Sequence, residues 1–198
     1  MTSTSRFPDA AFIAASAELY GEIALATGSS VWPKVVMRAE AAHISVGAYT
    51  NIQDFVMIHF GADSASEIGN YCSITHHVTI HGASIGDRCL IGINATIMDG
   101  AVIGENSIVA GNSIVREGLV VPPNSIVAGV PAKVVGQRNN AVANKLNALA
   151  YYENALAFAQ GNHRRWSEAD YSKKMQTYTE EVMREFPAND PANDPGAA

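Results

Sequence analysis

A chain of 198 residues is sized for a single domain, and its net charge of −6 argues against nucleic acid or an anionic membrane as the main target. Hydrophobic residues make up 47% of it, ample for a core, while charged residues are only 16%, low enough to suggest an outer face covered by a partner. The apolar runs are broken by Gly, Asp or Asn short of a membrane span, and Met1–Pro8 lacks the apolar core of a signal peptide. Cys72 and Cys89 are the only cysteines, so no disulfide framework is expected and the cytoplasm is the default compartment. Both occupy the same repeat position and read as small buried core residues.

That repeat is the dominant feature. Aliphatic anchors recur every sixth residue at Ile13, Leu19, Leu25, Val31 and Met37, then at Val46, Ile52 and Ile58. The beat resumes at Ile68, Ile74 and Ile80, and after one five-residue step continues from Ile85 through Ile91, Ile97 and Ile103 to Val127. Four residues after most anchors stands a small or compact residue, among them Val35, Ala41, Cys72, Ser84, Cys89 and Ala95. A short fixed period of this kind marks a solenoid. Surplus residues in Met37–Val46 and Ile58–Ile68 are expected to bulge outward as loops, and loops on a rigid scaffold are where binding groups lie.

Beyond the repeat the periodicity becomes helical. Leu146, Leu149, Tyr152, Leu156 and Ala159 fall on one helix face from Asn140 onward, and Gly161 breaks it. A second helix is expected from about Ser167 to Glu185. The chain divides into a β-helix domain (1–139), helices packing on it (140–185) and a tail (186–198) expected to be disordered.

The hexapeptide pattern resembles the left-handed parallel β-helix family, in which three hexapeptides make one triangular coil. On that arrangement Met37, Ile58, Ile80 and Ile97 form one column, and the residues after them place Arg38, His59, His81 and Met98 on one face. In a second column Pro33, Asp54 and His76 follow two residues after Val31, Ile52 and Ile74, so Asp54 lies one coil from His76. Coils about 4.8 Å apart let His59 and His81 converge on one ion. His76 points elsewhere; it could serve a neighbouring chain if prisms pack around a threefold axis. Three neutral imidazoles leave the fourth position of a tetrahedral zinc ion open, and such an ion lowers the pKa of water from about 15.7 toward about 7. Against this, a lone strand histidine is ordinarily a surface or packing residue. His77 reads as a bystander, and His43 and His163 have no evident partners.

Five stretches carry a closer resemblance: Ser30-Val-Trp-Pro-Lys-Val-Val-Met-Arg38, Thr50-Asn-Ile-Gln-Asp-Phe-Val-Met-Ile-His59, His76-His-Val-Thr-Ile-His81, Gly92-Ile-Asn-Ala-Thr-Ile-Met-Asp-Gly100 and Gly129-Val-Pro-Ala-Lys-Val-Val135. Together they are similar to the gamma-class carbonic anhydrases. The resemblance implies a homotrimer with metal sites between subunits, holding zinc, or iron or cobalt, and hydrating carbon dioxide reversibly to bicarbonate. It implies His59 and His81 as ligands from one chain and His76 from the next. Gln53 would hydrogen-bond the metal's water, Arg38 and Asp54 would support the site as partners, and Glu40 stands where the family usually has Asp. Tyr152 resembles a family tyrosine near the site, with packing of the helix onto the prism as its other reading. One departure concerns the proton shuttle: Phe60-Gly-Ala-Asp-Ser-Ala-Ser-Glu67 replaces a longer acidic loop, leaving Asp63 and Glu67, the latter expected to face solvent. Competing functions are a hexapeptide acyltransferase, a metal-dependent acyl-coenzyme A thioesterase and a non-catalytic trimeric scaffold.

Overall fold

The aliphatic anchors build three stacked columns. Ile13, Val31, Ile52, Ile74, Ile91, Val109 and Val127 lie in parallel register on one face. Leu19, Met37, Ile58, Ile80, Ile97 and Val115 form the second, and Leu25, Val46, Ile68, Ile85, Ile103 and Val121 the third. The computed structural model describes residues 6–61 and 64–187 and shows a parallel β-helix of about six turns with two C-terminal helices. Most of the anchors are fully buried, with Cys72, Cys89 and Ala95 filling the corners at 0% exposure. No helix among the described residues is long and apolar enough to cross a membrane.

Most corners turn through a left-handed residue three positions after their anchor. Asn94, Asn106, Asn112 and Asn124 hold φ of 57–61° there, and Asn tolerates this region better than most residues with a Cβ. Bulky residues occupy other corners, and successive coils stack their rings: Phe55 on His77 at 4.9 Å and 3°, Tyr49 on Tyr71 at 5.0 Å and 6°.

The two irregular steps resolve differently from one another. Met37–Val46 does not form a loop. It belongs to one continuous strand, Val36–Val46, that turns a corner, and its register against Glu18–Leu25 jumps from Gly21↔Ala39 to Glu22↔His43. Glu40, Ala41 and Ala42 therefore have no counterpart on the coil above, and Ala41 is exposed instead of filling a corner. The surplus in Ile58–Ile68 does leave the sheet, between His59 and Ser66. At the five-residue step the chain tightens at Gly82 (φ 62°), whose N–H donates to His59 O at 3.1 Å. Ala83, 1% exposed, then takes the corner that the repeat assigned to Ser84.

Helix α1 (Ala141–Ala159) lies across the strands Phe12–Ile13, Ser30–Val31, Asn51–Ile52 and Ser73–Ile74. Its buried face is rotated from the expected one: Leu149 is buried, but Leu156 is 41% exposed and Ala159 is exposed. The small and polar residues Ala141, Asn144, Ala148 and Ala155 are buried instead. The strands beneath present polar groups, and amide hydrogen bonds decide the orientation. Asn144 Nδ2 donates to Arg88 O at 2.8 Å, and Ser73 Oγ donates to Asn147 Oδ1 at 2.8 Å.

The second helix, α2, spans Tyr171–Glu185 and starts four residues later than Ser167. Arg165 gathers Glu168 and Asp170 at 2.8 Å and Glu153 at 3.2 Å, holding this stretch in a 3-10 turn and an extended residue. Tyr178 Oη donates to Glu153 Oε1 at 2.6 Å, and burial with this carboxylate as acceptor pushes the phenol well up. The expectation of an unpacked tail fails at its first residue, since the Phe186 ring lies against Arg88 and Lys145; residues 188–198 lie outside the described residues.

Coil spacing leaves no room for a side chain at certain outward positions. A Cβ at Gly104 would stand 2.4 Å from Pro123 N, a backbone atom that cannot rotate away. Gly104→Ala is expected to cost about 1–3 kcal/mol by overpacking, read as a lower urea midpoint. An unchanged midpoint would show that the coils yield.

Candidate metal centre

The register of the second column sets His59 directly opposite His81 on adjacent coils. Their rings approach through His59 Nδ1 and His81 Nε2, 3.3 Å apart, and both side chains are partly exposed. The outer nitrogen of each ring meets a carboxylate: His59 Nε2 lies 3.2 Å from Glu40 Oε2, and His81 Nδ1 lies 2.6 Å from Asp99 Oδ2. Local structure explains both partners. Glu40 belongs to the three-residue bulge, and its other oxygen is held by Arg38. Asp99 follows Ile97 by two positions at the next corner, and its Oδ1 accepts from Gly61 N–H at 2.9 Å and Ser64 Oγ at 3.0 Å. A Cβ at Gly82 would come within 2.3 Å of Asp99 Oδ1 and 2.1 Å of Ser64 Oγ, so the glycine of the shortened step makes space for this carboxylate.

Burial alone would raise the Asp99 carboxyl, but hydrogen bonds from His81, Ser64 and Gly61 N–H outweigh it and hold the group below the usual range. Glu40 is likewise lowered: burial opposes, while its own backbone N–H, Arg38 and His59 favour the anion. A carboxylate on the outer nitrogen favours the tautomer in which that nitrogen carries the N–H. With the outer nitrogens protonated in this way, the inner nitrogens, 3.3 Å apart, would both be left as acceptors facing each other. That arrangement satisfies neither ring. It does suit a cation: two imidazole nitrogens at about 2.0–2.1 Å from a tetrahedral ion stand about 3.3–3.4 Å apart. Carboxylates behind metal-binding histidines are the usual way such rings are oriented. The donor set fits a metal ion, although two imidazoles do not complete its coordination.

His76 is not brought to this pair. It sits at the neighbouring corner with Nδ1 3.1 Å from Asp54 Oδ2, leaving Nε2 without a partner among the described residues. Among the described residues, no three His, Cys, Asp or Glu side chains of the one chain gather as a metal-holding group. The expected Arg38–Asp54 pair is not present within the chain: Arg38 takes Glu40 and Asp54 takes His76. Gln53 is 1% exposed beside α1, with Nε2 donating to Asn51 Oδ1 at 2.8 Å and its backbone N–H bonded to Ile74 O on the His76 coil.

Tyr152 takes the packing alternative. Its ring meets Tyr49 edge-on at 5.0 Å, beside Gly28 and away from the histidine pair. The preceding residue, Tyr151, is the one near the His76 corner: it packs against Trp32 at 5.7 Å, and burial followed by the Asp54 charge raises its phenol. His43 and His163 do have partners, Glu67 at 3.3 Å and the Phe158 ring at 4.6 Å. Glu67 faces solvent as expected (side chain 58% exposed), and Asp63 lies outside the described residues. Asp99 was absent from the expected site. The signal was available: Gly82 and Asp99 follow Ile80 and Ile97 by two positions and so share a column.

The coil architecture and the carboxylate-backed imidazoles define a hexapeptide-repeat β-helix protein with a candidate metal centre on an outer face. A family model described as bacterial transferase hexapeptide (six repeats) matches residues 82–117. A probable carbonic anhydrase of Methanocaldococcus jannaschii is 46% identical over 141 residues, covering 70% of this chain and 89% of the relative. The mitochondrial gamma carbonic anhydrase 3 of Arabidopsis thaliana is 43% identical over 171 residues, covering 82% of this chain and 66% of the relative. A solved hexapeptide transferase family protein from Anaplasma phagocytophilum superposes with a TM-score of 0.66 at 31% identity, covering 77% of this chain and 89% of that one. The chain belongs to the gamma carbonic anhydrase-like family of hexapeptide-repeat proteins.

Asp99→Asn tests the tautomer assignment. The amide oxygen can keep the bonds from Gly61 and Ser64, but an amide N–H facing His81 drives the ring proton to Nε2. Metal affinity is expected to fall about 10–100-fold with the fold intact. Nitrogen-15 NMR of the His81 ring together with a metal titration checks this; an unmoved tautomer contradicts it.

Proposed function

We propose that this protein is a metal-dependent lyase that hydrates carbon dioxide to bicarbonate, with its metal held between subunits of a homotrimer. The observation that carries the reading is the facing pair of imidazole nitrogens on His59 and His81, 3.3 Å apart, with a carboxylate behind each ring. In support, relatives bearing the carbonic anhydrase name are 43–46% identical across most of this chain.

His59 and His81 would hold the ion from one chain, and His76 would complete the set from a neighbouring copy. Its unpartnered Nε2, with Nδ1 on Asp54, repeats the carboxylate-backed pattern of the other two. When bound, the ion supplies the Lewis acidity that makes water a nucleophile near neutral pH. Zinc, iron and cobalt all accept imidazole, and zinc is the first expectation. Asp99 and Glu40 orient the His81 and His59 rings, Asp54 lies beside the His76 ring, and Arg38 holds Glu40 in place. Gln53 braces the strand pair that carries Asp54 and His76. The cytoplasm remains the proposed compartment.

Acyl transfer is the second reading, favoured by the transferase family match over residues 82–117 and the transferase title of the Anaplasma relative. It needs no metal, whereas a metal-dependent thioesterase would use the same centre.

Three measurements bear on this. His81→Ala is expected to lose stoichiometric metal while keeping its β-sheet circular dichroism; loss of the fold would make His81 structural. Sedimentation is expected to give a trimer, and a monomer that binds metal tightly would remove the shared site. Stopped-flow hydration by the zinc-loaded protein in concentrated imidazole buffer should exceed background and vanish in His81→Ala. A metal-loaded trimer without hydration would sink the lyase reading.

A further inference from the structure

The face that carries the histidine pair continues below it. Ile97 pairs with Ile80 and Val115 with Ile97, so Met98 lies one coil beneath His81 and Arg116 one coil beneath Met98. Met98, Ile114, Arg116, Glu117, Gly118 and Leu119 line an open concavity of about 670 Å³. At about 4.8 Å per coil, the base of Arg116 stands about 10 Å from that of His81. Met98 stands between them, and the 39%-exposed Ile114 lies beside Arg116 on the same coil.

Arg116 differs from the arginine at the top of the same column. Arg38 is neutralised by Glu40, while the exposed Arg116 side chain makes no hydrogen bond or ion pair among the described residues. Glu117 borders the same concavity but does not pair with it. A guanidinium with unclaimed donors is a ready partner for a carboxylate or phosphate, and it stands out in a chain of net charge −6.

We propose that this concavity is a subsite for the far end of an elongated organic anion. One end of the molecule lies at the histidine pair, its apolar stem runs over Met98 and Ile114, and its anionic group reaches Arg116. Carbon dioxide and bicarbonate are too short to use it, so the subsite gives the protein a second class of ligand. The proposal rests on the metal reading of His59 and His81, because the near end of the ligand needs that ion. The neighbouring copy that supplies His76 would also bring Ile93, 54% exposed and one coil below His76, toward the same cleft.

The test is calorimetric titration of the zinc-loaded full chain with straight-chain α,ω-dicarboxylates of four to ten carbons. A parallel arm uses the ω-phosphono carboxylate of the best length, which distinguishes carboxylate from phosphate as the preferred end group. Affinity should rise with length to a maximum at about eight carbons, where extended carboxylates are about 10 Å apart, the separation of two coils. Arg116→Gln should abolish that maximum, weakening the best ligand about tenfold or more, as expected for loss of a hydrogen bond to a charged group. Glu117→Gln should tighten it, and zinc content should be unchanged in both variants. Length-independent binding, or an unaltered maximum in Arg116→Gln, overturns the proposal while leaving the metal centre standing. Failure of the wild-type chain to take up zinc overturns the metal reading and the subsite with it.

Discussion

Everything in this molecule depends on one coil lying on the next at the spacing of hydrogen-bonded parallel strands. The inward anchors of each column bury one another, and the strand backbones are satisfied by the coils above and below. The stacking also fixes the vertical distance between outward residues. His59 and His81 face one another because Ile58 lies over Ile80, and no feature of the histidines themselves is required. The site inherits its precision from the core, which is how a rigid scaffold serves chemistry.

The same logic explains why the irregular steps matter. Regular hexapeptides place identical corners along the prism and offer no special environment. The three extra residues after Ala39 bring Glu40 to His59, and the residue missing between Ile80 and Ile85 opens space for Asp99 beside His81. Glu40 therefore arises where the period fails, while Asp99 belongs to an unbroken repeat and is only given its room there. Asp54 beside His76 also comes from an unbroken repeat.

Much of the fold was legible because the six-residue period marks a solenoid, and once the resemblance supplied three hexapeptides per coil, the columns, faces and the His59–His81 contact followed from counting. What counting could not reach was side-chain choice among competing partners. Asp54 was expected as a partner of Arg38 within or across chains; within the chain Arg38 takes Glu40, two residues away on the same strand. Helical periodicity misplaced the buried face of α1, because it weighs apolar residues and ignores the amide bonds of Asn144 and Asn147 to the solenoid. Of the two readings of Tyr152, the one visible within the chain is packing, its ring edge-on to Tyr49. His76 was placed away from the pair, and the single chain keeps it there.

The five-residue step carries an implication for how this lineage can vary in length. Exposed turns of a solenoid ordinarily accept added residues with little effect, because each coil contacts only its neighbours. At Gly82 the chain is packed between Ser64 and Asp99, and its N–H is already bonded to His59 O. Restoring the sixth residue there would regularise the repeat and displace the carboxylate behind His81. The shortened step is thus a place where the most regular sequence is not the most useful one, and length itself, more than any side chain, is what must be inherited unchanged.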